Sequence, residues 1–144
     1  MPKHVTLTAQ NDHGTTETLR IELLGTHPHR LACTRADGRR KEYEAGNFFR
    51  CLALAREDLE KEGLLLCCQG ARKDITISGM QAQMSDGLYA YVFDPQTRTV
   101  SKEEVCIFDP APLSEVGTVE QQRQAVYALH GLPEKGSQSG GYAT

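Results

Sequence analysis

The chain has 144 residues, a net charge of −3, 39% hydrophobic and 24% charged residues. A chain of this length buries about 70% of the surface it exposes unfolded, enough for one hydrophobic core, and Leu, Val and Ile spread along it argue against wholesale disorder. Mild acidity excludes a nucleic-acid binder working by bulk charge. The longest strongly apolar run, Leu64-Leu65-Leu66-Cys67-Cys68, is far short of the roughly 20 residues of a membrane helix.

The first third reads as strands and turns. Val5 and Leu7 alternate with polar residues, and Asn11-Asp12-His13-Gly14 is a turn cluster. Leu19, Ile21 and Leu23 alternate with Arg20 and Glu22, the period-2 signature of a half-buried strand. Residues 25–29 read as a loop holding Pro28, residues 31–34 as a third strand, Ala36-Asp37-Gly38-Arg39 as a hairpin-like turn and residues 41–44 as the returning strand. The clearest helix is predicted over 47–62. Phe48, Leu52, Ala55 and Leu59 form one face, widened by Cys51, with Asn47 as its cap and Gly63 in the left-handed position at its end. Glu57 and Lys61 stand in the favourable i,i+4 order.

Residues 64–68 are apolar on both faces and predict a central strand. Ile75 and Ile77 alternate briefly, and Ser78-Gly79 starts a short turn or helix with Met80 and Met84 at i,i+4 spacing, ended by Asp86-Gly87. Such a Met pair predicts a plug for the core, although flexible thioethers also suit recognition surfaces. In residues 88–93, the strongest strand pattern, Leu88, Ala90 and Val92 share one face and Tyr89, Tyr91 and Phe93 the other. Residues 105–108 read as a further strand. Thr118-Val119-Glu120-Gln121 is a capping box opening a terminal helix with Val119, Val126 and Leu129 on one side, ending near Gly131 and Pro133. The expected fold is α+β: a mostly antiparallel sheet with helix 47–62 packed on one face and a C-terminal helix. Residues 1–133 form a single domain in this reading, and the Gly/Ser-rich 134–144 a disordered tail.

No Gly-rich phosphate loop, nucleophile elbow or H-E-x-x-H stands in the sequence. His27-Pro28-His29 with Cys33 matches no standard zinc spacing, so no metal and no cofactor are expected. Without an apolar leader at the amino terminus, the five Cys are expected to be reduced, buried thiols in the cytosol. Arg30, Arg35, Arg39, Arg40 and Lys41 form a basic stretch that reads as a solvated hairpin. Glu103, Glu104, Asp109, Glu115 and Glu120 form an acidic one, uninterrupted by Lys or Arg. The acidic stretch is either a solvated edge or a docking surface for a basic partner. Arg72, Lys73 and Asp74 lie in the odd segment 69–87 and are a possible flank of that surface.

The run Leu64-Leu65-Leu66-Cys67-Cys68-Gln69-Gly70-Ala71-Arg72-Lys73-Asp74, with Ser78-Gly79-Met80, Met84, Gly87 and Ala90-Tyr91, resembles a family of small bacterial proteins with an LLCxGxRxDxxxSGMxxxM motif. Val105-Cys106-Ile107-Phe108-Asp109 and Val116-Gly117-Thr118-Val119-Glu120-Gln121-Gln122-Arg123 extend the likeness, which covers roughly residues 45–127. The chain departs at Ile75-Thr76-Ile77, where the family pattern has Val-Tyr-Pro. Such proteins look like the immunity partners of bacterial polymorphic toxins. The resemblance implies a non-enzymatic, cytoplasmic protein whose partner is a cognate toxin domain, with no nucleic-acid or membrane contact. A non-catalytic binding or regulatory protein of the same fold is the second reading, and an enzyme using Arg72, Lys73 and Asp74 a third.

Overall fold

A computed structural model describes residues 4–131. In chain order the elements are β1 (His4–Gln10), β2 (Thr16–Thr26), β3 (His29–Thr34), β4 (Arg40–Ala45), α1 (Phe48–Glu60), β5 (Leu65–Leu66), a 3-10 turn at Gln69–Ala71, β6 (Ile75–Thr76), α2 (Gly79–Met84), β7 (Tyr89–Asp94), β8 (Thr99–Cys106), a 3-10 turn at Leu113–Glu115 and α3 (Val119–Leu129). The fold is α+β. There are two sheets, one of five strands in the order β4-β3-β2-β1-β5 and one of three in the order β6-β7-β8. Every strand pairing is antiparallel. The expected tail at 134–144 lies outside the described residues.

Alternation puts one face of the large sheet into the core. Leu7 sits opposite Leu19, and Ile21 opposite Cys33. All four are buried, as is Leu31. The stripe of α1 closes over this face: Phe48, Cys51, Leu52, Ala55 and Leu59 are buried. The side chain of Asn47 caps the helix by accepting from the Arg50 N–H, and Gly63 takes φ +79° just past its end. Lys61 reaches Asp58 at 3.5 Å, so the pair expected with Glu57 is replaced by an i,i+3 contact.

Three expectations are corrected. Residues 64–68 are no central strand: only Leu65–Leu66 pair, at the edge beside β1. Their apolar character reflects cover by the loop after β8, where the Ala111 N–H donates to the Cys67 carbonyl and Cys68 bridges Pro110. Residues 25–29 are less of a loop than expected. β2 continues to Thr26 across a register shift, and a cis His27–Pro28 peptide separates it from β3. The strict alternation of 88–93 fails as well. A register shift between Tyr91 and Phe93 leaves both Ala90 and Phe93 buried.

One core joins the two sheets. Leu7, Leu19, Leu52 and Leu66 belong to the same buried cluster as Ile75, Ala90 and Ile107. Across it lies a charged residue, Arg56, with a relative exposure of 1%. Its Nη1 donates to the Gly70 carbonyl (3.2 Å) and to Gln122 Oε1 (2.8 Å), and its Nη2 donates to the Gly117 carbonyl (3.0 Å). Gln122 Nε2 in turn donates to the Gly70 and Arg72 carbonyls, each at 2.9 Å. The nearest carboxylate, Glu60, stands 4.0 Å from Nη2 and accepts from the Val119 N–H. Burial lowers the Arg56 pKa and raises that of Glu60. Gly70 is required at this crossing: a Cβ there would lie 2.9 Å from both Ile107 Cβ and Leu52 Cδ2.

Leu52→Ala is expected to cost about 2–5 kcal/mol, as buried Leu truncations do. Arg56→Ala is expected to cost about 3–5 kcal/mol, because it leaves the Gly117 carbonyl and Gln122 Oε1 without their donor and opens a cavity in the core. Urea denaturation of the purified variants measures both. A loss below about 1 kcal/mol for Arg56→Ala would show that water replaces the guanidinium at little cost.

Candidate interaction surface

Segment 78–87 is short and polar, yet it is fixed at both ends. Ser78 and Gln81 form a reciprocal capping box: the Gln81 N–H donates to Ser78 Oγ and the Ser78 N–H to Gln81 Oε1, each at 3.0 Å. Gln81 Nε2 donates to Glu104 Oε2 at 2.9 Å, which ties α2 to β8. At the other end the Phe48 N–H donates to the Asp86 carbonyl (2.8 Å), and His29 Nε2 lies 3.0 Å from Asp86 Oδ1. The His29 ring meets Phe48 edge-on, with centroids 5.1 Å apart.

Gln81 is the buried residue of α2, and the Ser85 hydroxyl donates back to its carbonyl. With positions 81 and 85 turned inward, positions 80 and 84 share an outward face. Met80 is 69% exposed and Met84 79%. This overturns the core-plug expectation and leaves the recognition-surface alternative. Tyr89, 41% exposed, adds an aromatic side chain at the start of β7 that the sequence reading did not single out.

The acidic run is one stretch in sequence but several places in space. Glu103 and Glu104 are both exposed on β8, where the Glu103 N–H donates to Ser101 Oγ at 3.1 Å. Asp109 is exposed, with its carbonyl accepting from the Gln69 N–H. Glu115 ends the second 3-10 turn, and its carboxylate stands 3.9 Å from Arg72 Nε. Arg72 grips Asp74 with a two-bond fork of 2.8 and 2.9 Å and donates to Gln69 Oε1, and the Asp74 bonds push its pKa further up. The Lys73 N–H donates to the Glu115 carbonyl, and its side chain lies along Gly117. Glu120 opens α3 and accepts from Arg123 (3.0 Å) and Gln124 (2.8 Å). The structure therefore joins Arg72, Lys73, Asp74 and Glu115 in one cluster. Glu104 belongs with α2, and Glu120 with its own helix.

The basic stretch is neutralised residue by residue. Arg30 and Arg40 meet Glu42, Arg39 meets Asp37, and Lys41 meets Asp58. Arg35 forks onto both Glu17 and Glu62, which raises its own pKa and lowers theirs. Between β4 and α1 runs an open groove of about 670 Å³, lined by Lys41, Tyr43, Leu54, Asp58 and Lys61. There Asp58 accepts from Lys41 Nζ (2.8 Å) and from the Tyr43 hydroxyl (2.7 Å), and these bonds, Lys41 first, bring its pKa down to about 2.

All five thiols are free. Burial raises Cys33, Cys51 and Cys67, and pushes Cys68 up to about 11. Among the described residues no three His, Cys, Asp or Glu side chains are grouped to hold a metal ion, and no helix is long and apolar enough to cross a membrane. Comparison with known proteins finds no matching family model and no matching curated relative.

Two outcomes follow from these titrations. The folded Asp58 carboxyl binds a proton less readily than the unfolded one. Its contribution to stability is therefore complete above pH 3.8 and is lost as the pH falls toward about 2. Denaturation midpoints measured across that window should drop, and Asp58→Asn should flatten part of the drop. A thiol reagent at neutral pH should react slowly with the folded protein and reach five equivalents once it is unfolded. A fast-reacting thiol among Cys33, Cys51, Cys67 and Cys68 would contradict their burial.

Proposed function

We propose that this protein is an immunity protein that binds and neutralises a cognate bacterial toxin acting in the cytosol. It works by occupation and performs no catalysis of its own. The observation that supports this best is the exposed Met80/Met84 face, held on a helix fixed at both ends and bonded to Glu104 of β8, next to which Glu103 is exposed. Burying a methionine side chain yields about 1.5–3 kcal/mol, so two of them supply binding free energy when a partner covers them. The carboxylates supply direction: a cleft built to attract phosphates attracts Glu103 and Glu104 at long range. Asp109, Glu115 and Glu120 stand apart from this pair, Glu115 beside Arg72 and Glu120 beside Arg123, so the reading rests on them and on the Arg72–Asp74 turn less than on Glu103 and Glu104. The reading places the protein in the cytoplasm of a bacterium, in competition between cells, and rests on the motif resemblance together with this surface. A regulatory protein of the same fold would use the same surface on a different partner.

The test is binding between the purified full chain and the product of the gene immediately upstream, at low and high salt, with protection of cells expressing that product. Glu103→Lys should slow association about tenfold at low salt and weaken its salt dependence. Met80→Ala with Met84→Ala should speed dissociation by about tenfold or more. Glu104→Lys also releases Gln81, so Glu103 gives the cleaner reading. Absence of binding and of protection would refute the immunity reading. Binding unaffected by the Met and Glu103 changes would move the interface elsewhere on the protein.

A further inference from the structure

The edges of the two sheets differ in kind. β5 is two residues long and covered by the loop after β8. β8 is interrupted: its pairing with β7 shifts between Glu104 and Val100, leaving Ser101, Lys102 and Glu103 opposite Val92 alone, a bulge of the type that bends an edge away from partners. β4 has neither protection. Its six residues pair with β3 in one unbroken register, from His29–Ala45 to Thr34–Arg40, and among the described residues no strand lies on its other side.

The Arg35 N–H donates to the Arg39 carbonyl at 2.7 Å, so 35/39 is a hydrogen-bonded pair. Such pairs alternate along an antiparallel ladder, so Lys41, Tyr43 and Ala45 turn their N–H and C=O toward β3. Arg40, Glu42 and Glu44 turn theirs outward. The side chains divide the same way. Lys41 and Tyr43 lie on the α1 face, both bonded to Asp58, and Arg40, Glu42 and Glu44 lie on the other.

We infer that β4 is the interface of a two-fold symmetric homodimer, pairing antiparallel with β4 of a second copy about Glu42 to join two five-stranded sheets into one. Outward-facing residues must meet outward-facing residues, which leaves only registers that set even positions against even ones. Centred on Glu42, each Arg40 stands opposite the other copy's Glu44, so the dimer gains two opposite-charge cross-strand pairs. On the helix face each Lys41 stands opposite the other copy's Tyr43, the ring type it already covers at 5.3 Å within its own chain. Glu42 meets Glu42 on the axis, where each carboxylate already accepts from Arg30 and Arg40. Shifted two residues one way, the register sets Lys41 against Lys41; shifted the other way, it sets Glu42 against Glu44 twice. A charged edge ordinarily deters pairing; here Arg40 at one end and Glu44 at the other oppose each other when the strand is reversed about Glu42. The axis also leaves both α1 helices on the same side of the joined sheet. Leu54, 40% exposed on the rim of the β4–α1 groove, then lies on the side where the second copy's helix comes in.

Sedimentation velocity of the full chain over a range of concentrations reads the oligomeric state, independently of any toxin. The wild type is expected to dimerise. Arg40→Glu and Glu44→Arg should each raise the dissociation constant about tenfold or more, and the double variant R40E/E44R should restore it. Glu44→Pro removes an outward N–H that β3 does not use, so it should give a folded monomer, checked by circular dichroism. Glu42→Cys places two thiols on the axis at a Cα separation of about 5.5 Å, within disulfide reach, and should oxidise to a covalent dimer. A wild type that stays monomeric at the highest concentration overturns the inference. So does a dimer indifferent to Arg40→Glu, Glu44→Pro and oxidation of Glu42→Cys.

Discussion

The arrangement of the second half of the chain depends on one buried guanidinium. Arg56 is held by the best-defined helix and has little freedom of its own. Its bonds to the Gly70 and Gly117 carbonyls and to Gln122 fix three segments that share no sheet: the turn after β5, the entry to α3, and α3 itself. An interior charge is costly to desolvate, and the hydrogen bonds from Nη1 and Nη2 offset part of that, while Nε is buried without a partner among the described residues. The acceptors here are mostly backbone carbonyls beside short elements, and the Gly70 carbonyl accepts from Gln122 as well. One residue thus satisfies the carbonyls that the absence of regular structure leaves over. A smooth apolar contact between α1 and α3 would not specify which turn of α3 sits where; the hydrogen bonds to Gln122 do.

The same economy explains what could be read in the sequence and what could not. The stripe of α1 and the alternation of β1 to β3 were legible because each element buries one face against a regular neighbour, and periodicity reports that. Arg56 was hidden by its charge, although its spacing marked it: it lies four residues after Leu52 and three before Leu59, on the buried side. Residues 64–68 misled for the opposite reason. They are buried on both faces, but the second cover is an irregular loop, and periodicity cannot distinguish a loop from a strand as the covering element. The Met80/Met84 spacing pointed to a common face and could not say whether it faced in or out. Gln81 decides that through a hydrogen bond to Glu104, a residue 23 positions away.

Charge patterning transferred poorly from sequence to surface, for a related reason. Long-range folding brought Arg72 to Glu115, Glu17 and Glu62 to Arg35, and Asp58 to Lys41. Linear runs of one sign are broken up wherever the chain crosses itself. Glu103 escapes that averaging because both faces of the outer part of β8, residues 99–104, are exposed. The acidic residue most able to act at a distance is therefore found where the packing is thinnest.

The two surfaces left open differ in what they offer a partner. The α2 face presents flexible thioethers on a rigid support, so its affinity depends on the fit of apolar side chains into a pocket and shows up in dissociation. The β4 edge presents directional backbone groups at a fixed spacing, and any partner there must itself be a strand in register. A strand whose charges oppose those of Arg40 and Glu44 suits that edge, and β4 reversed about Glu42 carries them, with Glu42 meeting its own copy on the axis. A surface of the first kind can follow a changing partner by repacking two methionines. A surface of the second kind cannot change one residue without changing both sides of the contact at once, so a two-fold interface constrains itself while the methionine face stays free to adapt.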